Sequence, residues 1–212
     1  MNALVAKAKQ QIETAIDEMI AGLPKIEGLS AEERRDIIAR YVAVLEGNFI
    51  YWMTAALIAT KSPDARPIIL ENLHEEVRDA HPAMLRRFAI AAKAFPTDQD
   101  ALVVGEDLTK VRLFLGRLSA VQSIATMAFF EGWIQRFMAY LAELAAAQGS
   151  TEMEYTDVHG VCDIAHTDGL FRALSAEMAV NPLEPDQDIL EGVTLLRTLM
   201  DQVVFYRVAV VA

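Results

Sequence analysis

The chain has a single cysteine, Cys162, among its 212 residues, so it cannot form an internal disulfide bond. This fits a reducing compartment, and we expect the protein to be cytoplasmic. Ten glycines and seven prolines are too few for a collagen-like or linker-dominated chain. Hydrophobic residues make up 53% of the sequence, which is too many for a disordered protein. The composition therefore indicates a folded globular protein.

Basic residues are also scarce, because 19 lysines and arginines face 30 aspartates and glutamates, which gives a formal net charge of −11. Such a surface repels phosphate backbones and anionic lipids, so we expect no nucleic-acid partner and no membrane partner. The longest stretch without a charge, Gly47 to Thr60, is shorter than the ~20 residues of a membrane-spanning helix. The N-terminal segment becomes acidic before an apolar run develops, so we expect no signal peptide.

The apolar residues recur mostly at three- and four-residue spacing, and no stretch alternates as a strand does. Ser30 opens a capping-box sequence, Ser-Ala-Glu-Glu, which predicts the start of a helix. We expect helices over about 2–23, 30–61, 67–79, 82–94, 108–147, 155–178 and 185–207, the fifth of them bent near Gly116 or Gly132. No repeat or linker divides the chain. The sequence therefore predicts one domain over residues 1–212, an all-α bundle of about seven helices.

The strongest local signal is the sequence His159-Gly-Val-Cys-Asp163-Ile-Ala-His166. At about 100° per residue, the side chains of His159, Asp163 and His166 fall within about 60° of arc on one helical face. A lone helical histidine is usually a core residue or a solvated one. Three polar side chains that form one stripe between apolar neighbours instead indicate a metal site, because imidazoles and carboxylates are metal ligands.

Two glutamates are isolated in apolar surroundings. Glu46 is the only charge in the segment YVAVLEGNFIYWMTAALIAT, and Glu131 is the only charge in LSAVQSIATMAFFEGWIQ. An unpaired buried carboxylate is costly, so such groups are paired, protonated or bound to a metal ion. Simple exposure to solvent is a reasonable explanation for Glu46, which has Asn48 as a polar neighbour. Exposure to solvent explains Glu131 less well, because its neighbours in the sequence are large apolar residues.

The region from Glu71 to His81 combines acidic residues with a histidine. Its apolar residues centre on one helical face, and Glu76 falls inside that face, whereas Glu71 and Glu75 point away from it. We therefore expect Glu76 to face the core. The proline that follows His81 allows the chain to turn there, so that His81 approaches Glu76. His74 is expected at the periphery.

Together these segments supply three glutamates, one aspartate and three histidines from four predicted helices. Carboxylates offset the charge of two divalent ions and can bridge them, whereas imidazoles leave room for dioxygen or substrate. Such ligands projecting into a helical bundle are typical of a dinuclear iron or manganese site.

In these features the sequence resembles the heme-oxygenase-like di-iron oxidases and oxygenases, which share their helical fold with pyrroloquinoline quinone synthases and TenA proteins. The motifs are an isolated helical glutamate, Asn-x-x-x-Glu followed by His-Pro-x-x-Leu, a mid-helix glutamate and the His-x3-Asp-x2-His stripe. In this chain they correspond to Glu46, Asn72, Glu76, His81, Leu85, Glu131, His159, Asp163 and His166. The segment between Glu76 and His81 is short and lacks a glycine, which leaves Glu71 and Glu75 open as alternatives to Glu76.

The resemblance implies a heme-oxygenase-like fold and an enzyme that binds two Fe(II) ions, with manganese as the alternative, and uses O2 as co-substrate and an external reductant where needed. The implied ligands are Glu46, Glu76, His81, Glu131, His159, Asp163 and His166. We expect one ion on Glu76, His81 and His159. The other ion would bind Glu46, Asp163 and His166. Glu131 would bridge the two ions as the residue on which catalysis depends.

Relatives of this kind oxidise small molecules in biosynthesis. The resemblance implies N-oxygenation, hydroxylation or oxidative carbon–carbon cleavage of an amino-acid-derived or fatty-acid substrate, without choosing among them. We also expect a homodimer. A TenA-type thiaminase is not favoured, because its nucleophilic cysteine would have to be Cys162, which lies beside the stripe and not on it.

The alternative hypothesis is a metal-free helical protein that binds a small apolar ligand or a partner protein. It is based on large aromatic side chains that would line a pocket instead of a metal cavity. These residues are Phe49, Trp52, Phe129, Phe130 and Trp133.

Overall fold

The regular secondary structure is entirely helical across residues 3–206, which are the residues that the computed structural model describes. The helices are α1 (Ala3–Ala21), α2 (Ala31–Leu45), α3 (Asn48–Ala59), α4 (Arg66–Arg78), α5 (His81–Ala91), α6 (Asp98–Leu115), α7 (Ala120–Ala147), α8 (Glu154–Val180) and α9 (Glu191–Phe205), with a 3-10 turn at Ile26–Gly28. Counting α2 and α3 as one interrupted helix, Ala31–Ala59, gives eight helices in this range. The all-α prediction is confirmed, and the predicted number of about seven is slightly low.

Two predicted helices are each broken into two. The stretch predicted over 30–61 is interrupted at Glu46 and Gly47, where Gly47 has φ +75°, a left-handed conformation that glycine adopts without a steric penalty. The stretch predicted over 108–147 is divided after Leu115 by a turn in which Leu118 has φ +57°. The chain continues through Gly132 as helix α7.

Two helix starts also differ from the sequence-based expectation. Helix α6 begins at Asp98, ten residues early, because Thr97 and Asp100 form a capping box in a segment predicted as loop. Helix α9 begins at Glu191 instead of about residue 185. The capping box predicted at Ser30 is present, with the Ser30 hydroxyl accepting from the Glu33 amide at 3.1 Å. The helix ends predicted at residues 2 and 207 lie outside the described residues.

Helix α7 is the central element of the bundle. Every residue from Ala120 to Ile134 is buried, because α1, α2, α3, α8 and α9 all pack against this helix. Its longest contact is with α8, which carries the His159–His166 stripe. A carboxylate in the buried half of α7 therefore faces protein on every side, and this placement explains why Glu131 is in the core.

Helices α2 and α3 together, Ala31–Ala59, are long and apolar enough to cross a membrane by length and composition. The protein buries 56% of the most apolar stretch of this segment. The core helix of a folded protein has the same composition and length, and a packed position of this kind accounts for both. The absence of a membrane partner stays a prediction.

Candidate metal centre

Six of the seven predicted ligands point into the centre of the bundle from four helices. Helix α4 provides Glu76, α5 begins with His81, α7 provides Glu131, and α8 provides the other three. The six residues are Glu76, His81, Glu131, His159, Asp163 and His166, and none is more than 6% exposed.

Glu76, His81 and His159 form the first group of ligands. The Nδ1 atom of His81 donates to Glu76 Oε1 at 2.8 Å, and His159 Nε2 lies 3.9 Å from the same oxygen. The candidate ligand atoms of the three residues all lie within 4.8 Å of one another. One carboxylate with two imidazoles is a ligand set typical of non-heme Fe(II) oxygenases.

A tight turn between α4 and α5 brings Glu76 and His81 together. Ala80 occupies the left-handed region at φ +57°, which is strained for a residue with a Cβ. Pro82 follows in the first turn of α5, where its missing amide hydrogen costs nothing. Although the segment between Glu76 and His81 is short and lacks a glycine, the chain turns there and brings His81 next to Glu76, as predicted.

The electrostatics of the first group are those of an ion pair. Burial alone would raise the pKa of Glu76, but the interactions with His159 and His81 outweigh it and lower this pKa to about 2. For His159, burial would lower the pKa, and contact with Glu76 raises it instead. Without a metal ion, the contacts with the two imidazoles therefore stabilise the ionised form of Glu76.

Glu131, Asp163 and His166 form the second group. The Nδ1 atom of His166 lies 3.6 Å from Glu131 Oε2 and 3.6 Å from Asp163 Oδ1. On the other side of the ring, His166 Nε2 donates to Glu75 Oε2 at 2.7 Å. The Sγ atom of Cys162 donates to Asp163 Oδ1 at 3.1 Å. His166 is therefore held from outside by Glu75 while its Nδ1 faces the buried carboxylates.

Burial and the charges of neighbouring residues strongly shift the pKa values in the second group. Burial, and then the charge of Asp163, raises the pKa of Glu131 to about 7. Burial would lower the pKa of His166, but the surrounding carboxylates outweigh it and raise this pKa to about 11. Burial also raises the pKa of the Cys162 thiol, which makes it a poor nucleophile and agrees with the expectation against a thiaminase.

Three polar atoms of the second group are buried without a hydrogen-bond partner among the described residues: Glu131 Oε1, Asp163 Oδ2 and His166 Nδ1. Each unpaired buried polar atom costs free energy, and charged ones cost most. A divalent cation placed among them would accept all three as ligands. Iron and manganese both bind such mixed carboxylate and imidazole sets, so the residues present fit the predicted metal.

Glu46 occupies a different place from the other six. It ends α2, and its side chain is 30% exposed and accepts a hydrogen bond from Arg86 Nε at 2.6 Å. It nevertheless lines the same cavity as Glu76 and Glu131. The described geometry puts Glu46 in neither ligand group, and its role as a ligand stays a prediction.

A cavity of about 30 Å³ opens beside the ligands. Its polar wall includes Glu76, His81 and His159 of the first group and Glu131 of the second. The apolar part of its lining is made of Leu45, Phe49, Ile50, Pro82, Leu85 and Ile134. Space of this size admits one or two water-sized groups, which suits dioxygen or the reacting end of a small substrate.

The structure separates the acidic alternatives on α4. Glu76 joins His81 and His159, whereas Glu75 approaches His166 from outside. Glu71 is exposed and pairs with Arg78 on the surface. His74 is exposed, as the helical pattern predicted.

Sequence reasoning missed Tyr155, although its spacing from the stripe provides a signal. Its carbonyl accepts from His159 Nδ1 at 2.8 Å, the i to i+4 relation within one helix. Its hydroxyl forms a 2.8 Å hydrogen bond with the hydroxyl of Tyr41, and both side chains are buried. The carbonyl contact fixes the His159 ring so that Nε2 faces Glu76.

Most of the aromatic residues behind the alternative hypothesis belong to the core. Trp52 and Trp133 each pack against Phe130, with ring centroids 5.2 Å and 6.4 Å away. These three side chains are completely buried, and Phe49 is the one of this set that lines the cavity.

Comparison with known proteins agrees with this geometry. The model of a family described as iron-containing redox enzymes matches residues 38–199, a range that contains all seven predicted ligands. The chain belongs to the iron-containing redox enzyme family. The heme-oxygenase-like resemblance is thereby confirmed, and membership of this iron-containing redox enzyme family makes the protein an oxidoreductase. No curated protein is significantly similar to the chain.

Proposed function

We propose that the protein is a non-heme di-iron oxidase or oxygenase that activates dioxygen to oxidise a small molecule. The observation that carries this proposal is the presence of two buried ligand groups in the same bundle core, which meet at a cavity lined by the whole first group and by Glu131 of the second. One group is a carboxylate with two imidazoles, and the other contains three buried polar atoms without partners. A single ion would satisfy only one of these groups, so the arrangement favours two.

The ligand assignment follows from these groups. Glu76, His81 and His159 would bind one ion, and Asp163 and His166 would bind the other, with Glu46 as its further predicted ligand. The Oε2 atom of Glu131 lies near His166, and its side chain lines the cavity together with Glu76. We therefore assign Glu131 the bridging position.

Bound ferrous ions would supply the electrons with which dioxygen is reduced, with an external donor restoring them where the reaction requires it. The protein's own residues provide the remaining conditions. Apolar side chains such as Phe49 and Ile134 keep bulk water from the cavity and leave space for a substrate beside the ligands. Hydrogen bonds from the outer ring atoms of His159 and His166 orient both imidazoles.

Anaerobic reconstitution with ferrous iron tests the proposal. We expect about two iron ions per chain, and oxygen consumption when a substrate is oxidised. The double variant His159→Ala/His166→Ala removes one ligand from each group and should lose both ions. The control His74→Ala changes an exposed histidine on α4 and should keep both. A wild-type stoichiometry of one iron or less, or an unchanged stoichiometry in the double variant, contradicts the proposal.

The double variant also addresses the alternative of a metal-free binding protein, because ligand binding without metal would survive it. The homodimer and the cytoplasmic location stay predictions, which light scattering and cell fractionation test directly.

A further inference from the structure

We propose that Cys162 is a further ligand of the ion at the second group, bound through its thiolate sulfur. The ion at the first group would then be held by carboxylate and imidazole alone, whereas the second ion would also be bound by sulfur. The inference rests on the proposed function and deepens it, because it adds a ligand to one of the two proposed ions. The other predicted ligands keep their assignments.

The helical position of Cys162 supports this assignment. Cys162 lies one turn before His166 on α8, and at about 100° per residue the two side chains are only about 40° of arc apart. Two side chains at this i to i+4 spacing bind one ion in helical zinc sites. Cys162 lies beside the His159–His166 stripe, next to the two of its residues that belong to the second group.

The candidate ligand atoms of this cluster are close together. One atom each from Cys162, Asp163 and His166 all lie within 4.8 Å of one another, as in the first group. The Sγ atom of Cys162 lies 3.1 Å from Asp163 Oδ1, so the sulfur faces the carboxylate that is assigned to the second ion. Cys162 is half-buried, whereas Asp163 is completely buried and His166 is 6% exposed.

Two atoms beside the sulfur indicate a bound cation independently of the cysteine. Asp163 Oδ2 and His166 Nδ1 are buried without a hydrogen-bond partner within residues 3–206. His166 Nδ1 faces Asp163, with 3.6 Å between this nitrogen and Oδ1. Buried polar atoms without partners are costly, and a divalent ion bound by oxygen, nitrogen and sulfur would satisfy both of them.

Binding would replace one bond of the sulfur by another. A divalent ion removes the proton of a thiol that coordinates it. The S–H bond that donates to Asp163 would break, a sulfur–metal bond would form, and the proton would leave to solvent. No oxidation state changes in this step. The Oδ1 atom of Asp163, which would no longer accept from the thiol, would become available to the ion.

A thiolate would make the two ion positions chemically unequal. The first group offers one carboxylate and two imidazoles, whereas sulfur at the second position favours softer ions such as Zn(II). Carboxylates and other oxygen ligands suit Mn(II) better than sulfur does. We therefore expect the preference for Zn(II) over Mn(II) to be greater at the second position than at the first.

Titration of the metal-free protein with Co(II), under anaerobic conditions and without added thiols, tests the proposal. A thiolate bound to Co(II) gives a charge-transfer absorption band in the near ultraviolet that carboxylates and imidazoles do not give. Cys162 is the only cysteine of the chain, so this band reports on Cys162 alone. We expect the band to saturate at about one thiolate–Co(II) bond per chain. Absence of the band at saturating Co(II) overturns the proposal.

Two histidine variants of α8 assign the band to the second group. His166→Ala removes the ligand that lies one turn from Cys162, and it should weaken the Co(II) binding that produces the band by about tenfold or more. His159→Ala is the matched control, because it alters the first group and should leave the band in place. No loss in His166→Ala, or an equal loss in both variants, contradicts the assignment.

Replacing the cysteine itself tests the expected preference for softer ions. Cys162→Ala should abolish the band and weaken the binding of one Zn(II) ion by about tenfold or more, with a smaller effect on Mn(II). Val161→Ala changes the exposed neighbouring residue and should alter neither metal affinity nor the band. Calorimetric titration measures both metals. Equal changes for Zn(II) and Mn(II) in Cys162→Ala would show that sulfur is not a ligand.

Iron stoichiometry separates this inference from the proposed function. Two irons per chain without the thiolate band in the Co(II) protein refute the inference alone. A thiolate band in a protein that binds only one iron supports Cys162 as a ligand and refutes the proposed di-iron function.

Discussion

Glu75 accepts a hydrogen bond from Nε2 of His166 across the interface between α4 and α8, with 2.7 Å between the two atoms. The contact leaves His166 Nδ1 facing Glu131 and Asp163. Carboxylates that bond the outer nitrogen of a metal-binding histidine fix the orientation of its ring and raise its basicity as a ligand. Glu75 is thus a positioning residue for the second ligand group, although it is not a ligand in the described geometry.

Replacing Glu75 by glutamine should weaken the binding of one metal ion by about 10–100-fold, because the neutral amide holds the His166 ring less firmly. Titration calorimetry with Mn(II) measures this directly. Glu71→Gln removes an exposed carboxylate from the same helix and serves as the control, with no expected change. Equal affinities in the two variants would show that Glu75 does not position His166.

Metal binding should release protons and tighten as the pH rises. In the metal-free protein, the neighbouring carboxylates raise the pKa of His166 to about 11, so the ring carries its extra proton at neutral pH. A metal ion requires Nδ1 without a proton and must displace it. Each displaced proton makes the apparent affinity rise about tenfold per pH unit below that pKa. Calorimetry in buffers with different ionisation enthalpies counts the protons, and an affinity independent of pH contradicts the prediction.

The parts of the site that lie on one helix, or on one apolar face, could be predicted from the sequence. His159 and His166 share a face because of helical geometry, and Glu131 stands out because its apolar neighbours leave no solvent-facing side. Glu76 was identified by its angular position among apolar residues. Each of these inferences needs only the 3.6-residue period and the cost of burying a charge.

Long-range contacts and short turns could not be predicted in this way. The pairing of Glu46 with Arg86 depends on how α2 and α5 pack, and nothing near Glu46 in the sequence indicates it. The break at Gly47 replaces a continuous helix because a single left-handed residue suffices to end α2. Helix α6 was predicted to start late because its capping residues, Thr97 and Asp100, also favour loops.

The capping box at Ser30 should stabilise the protein measurably. Ser30→Ala removes the hydroxyl that accepts from the Glu33 amide, and we expect the free energy of unfolding to fall by about 1 kcal/mol. Ser119→Ala is the matched control, because Ser119 precedes α7 without a side-chain capping bond. Urea denaturation of the metal-free protein measures both. An equal loss in the two variants would assign the effect to something other than capping.

Glu131→Ala should abolish turnover and lower the metal content to one ion or none, because the proposed bridging carboxylate serves both ions. No other acidic residue lies on the buried half of α7 to replace it. The fold should survive: the loss of one buried methylene costs about 0.8 kcal/mol, whereas removal of the unpartnered Oε1 relieves about 1–3 kcal/mol. These opposing contributions should keep the free energy of unfolding of the metal-free protein within about 2 kcal/mol of the wild type. Elemental analysis, circular dichroism and urea denaturation measure the three quantities, with His74→Ala as the unchanged control. A Glu131→Ala protein that keeps two irons and normal turnover would show that the bridging assignment is wrong.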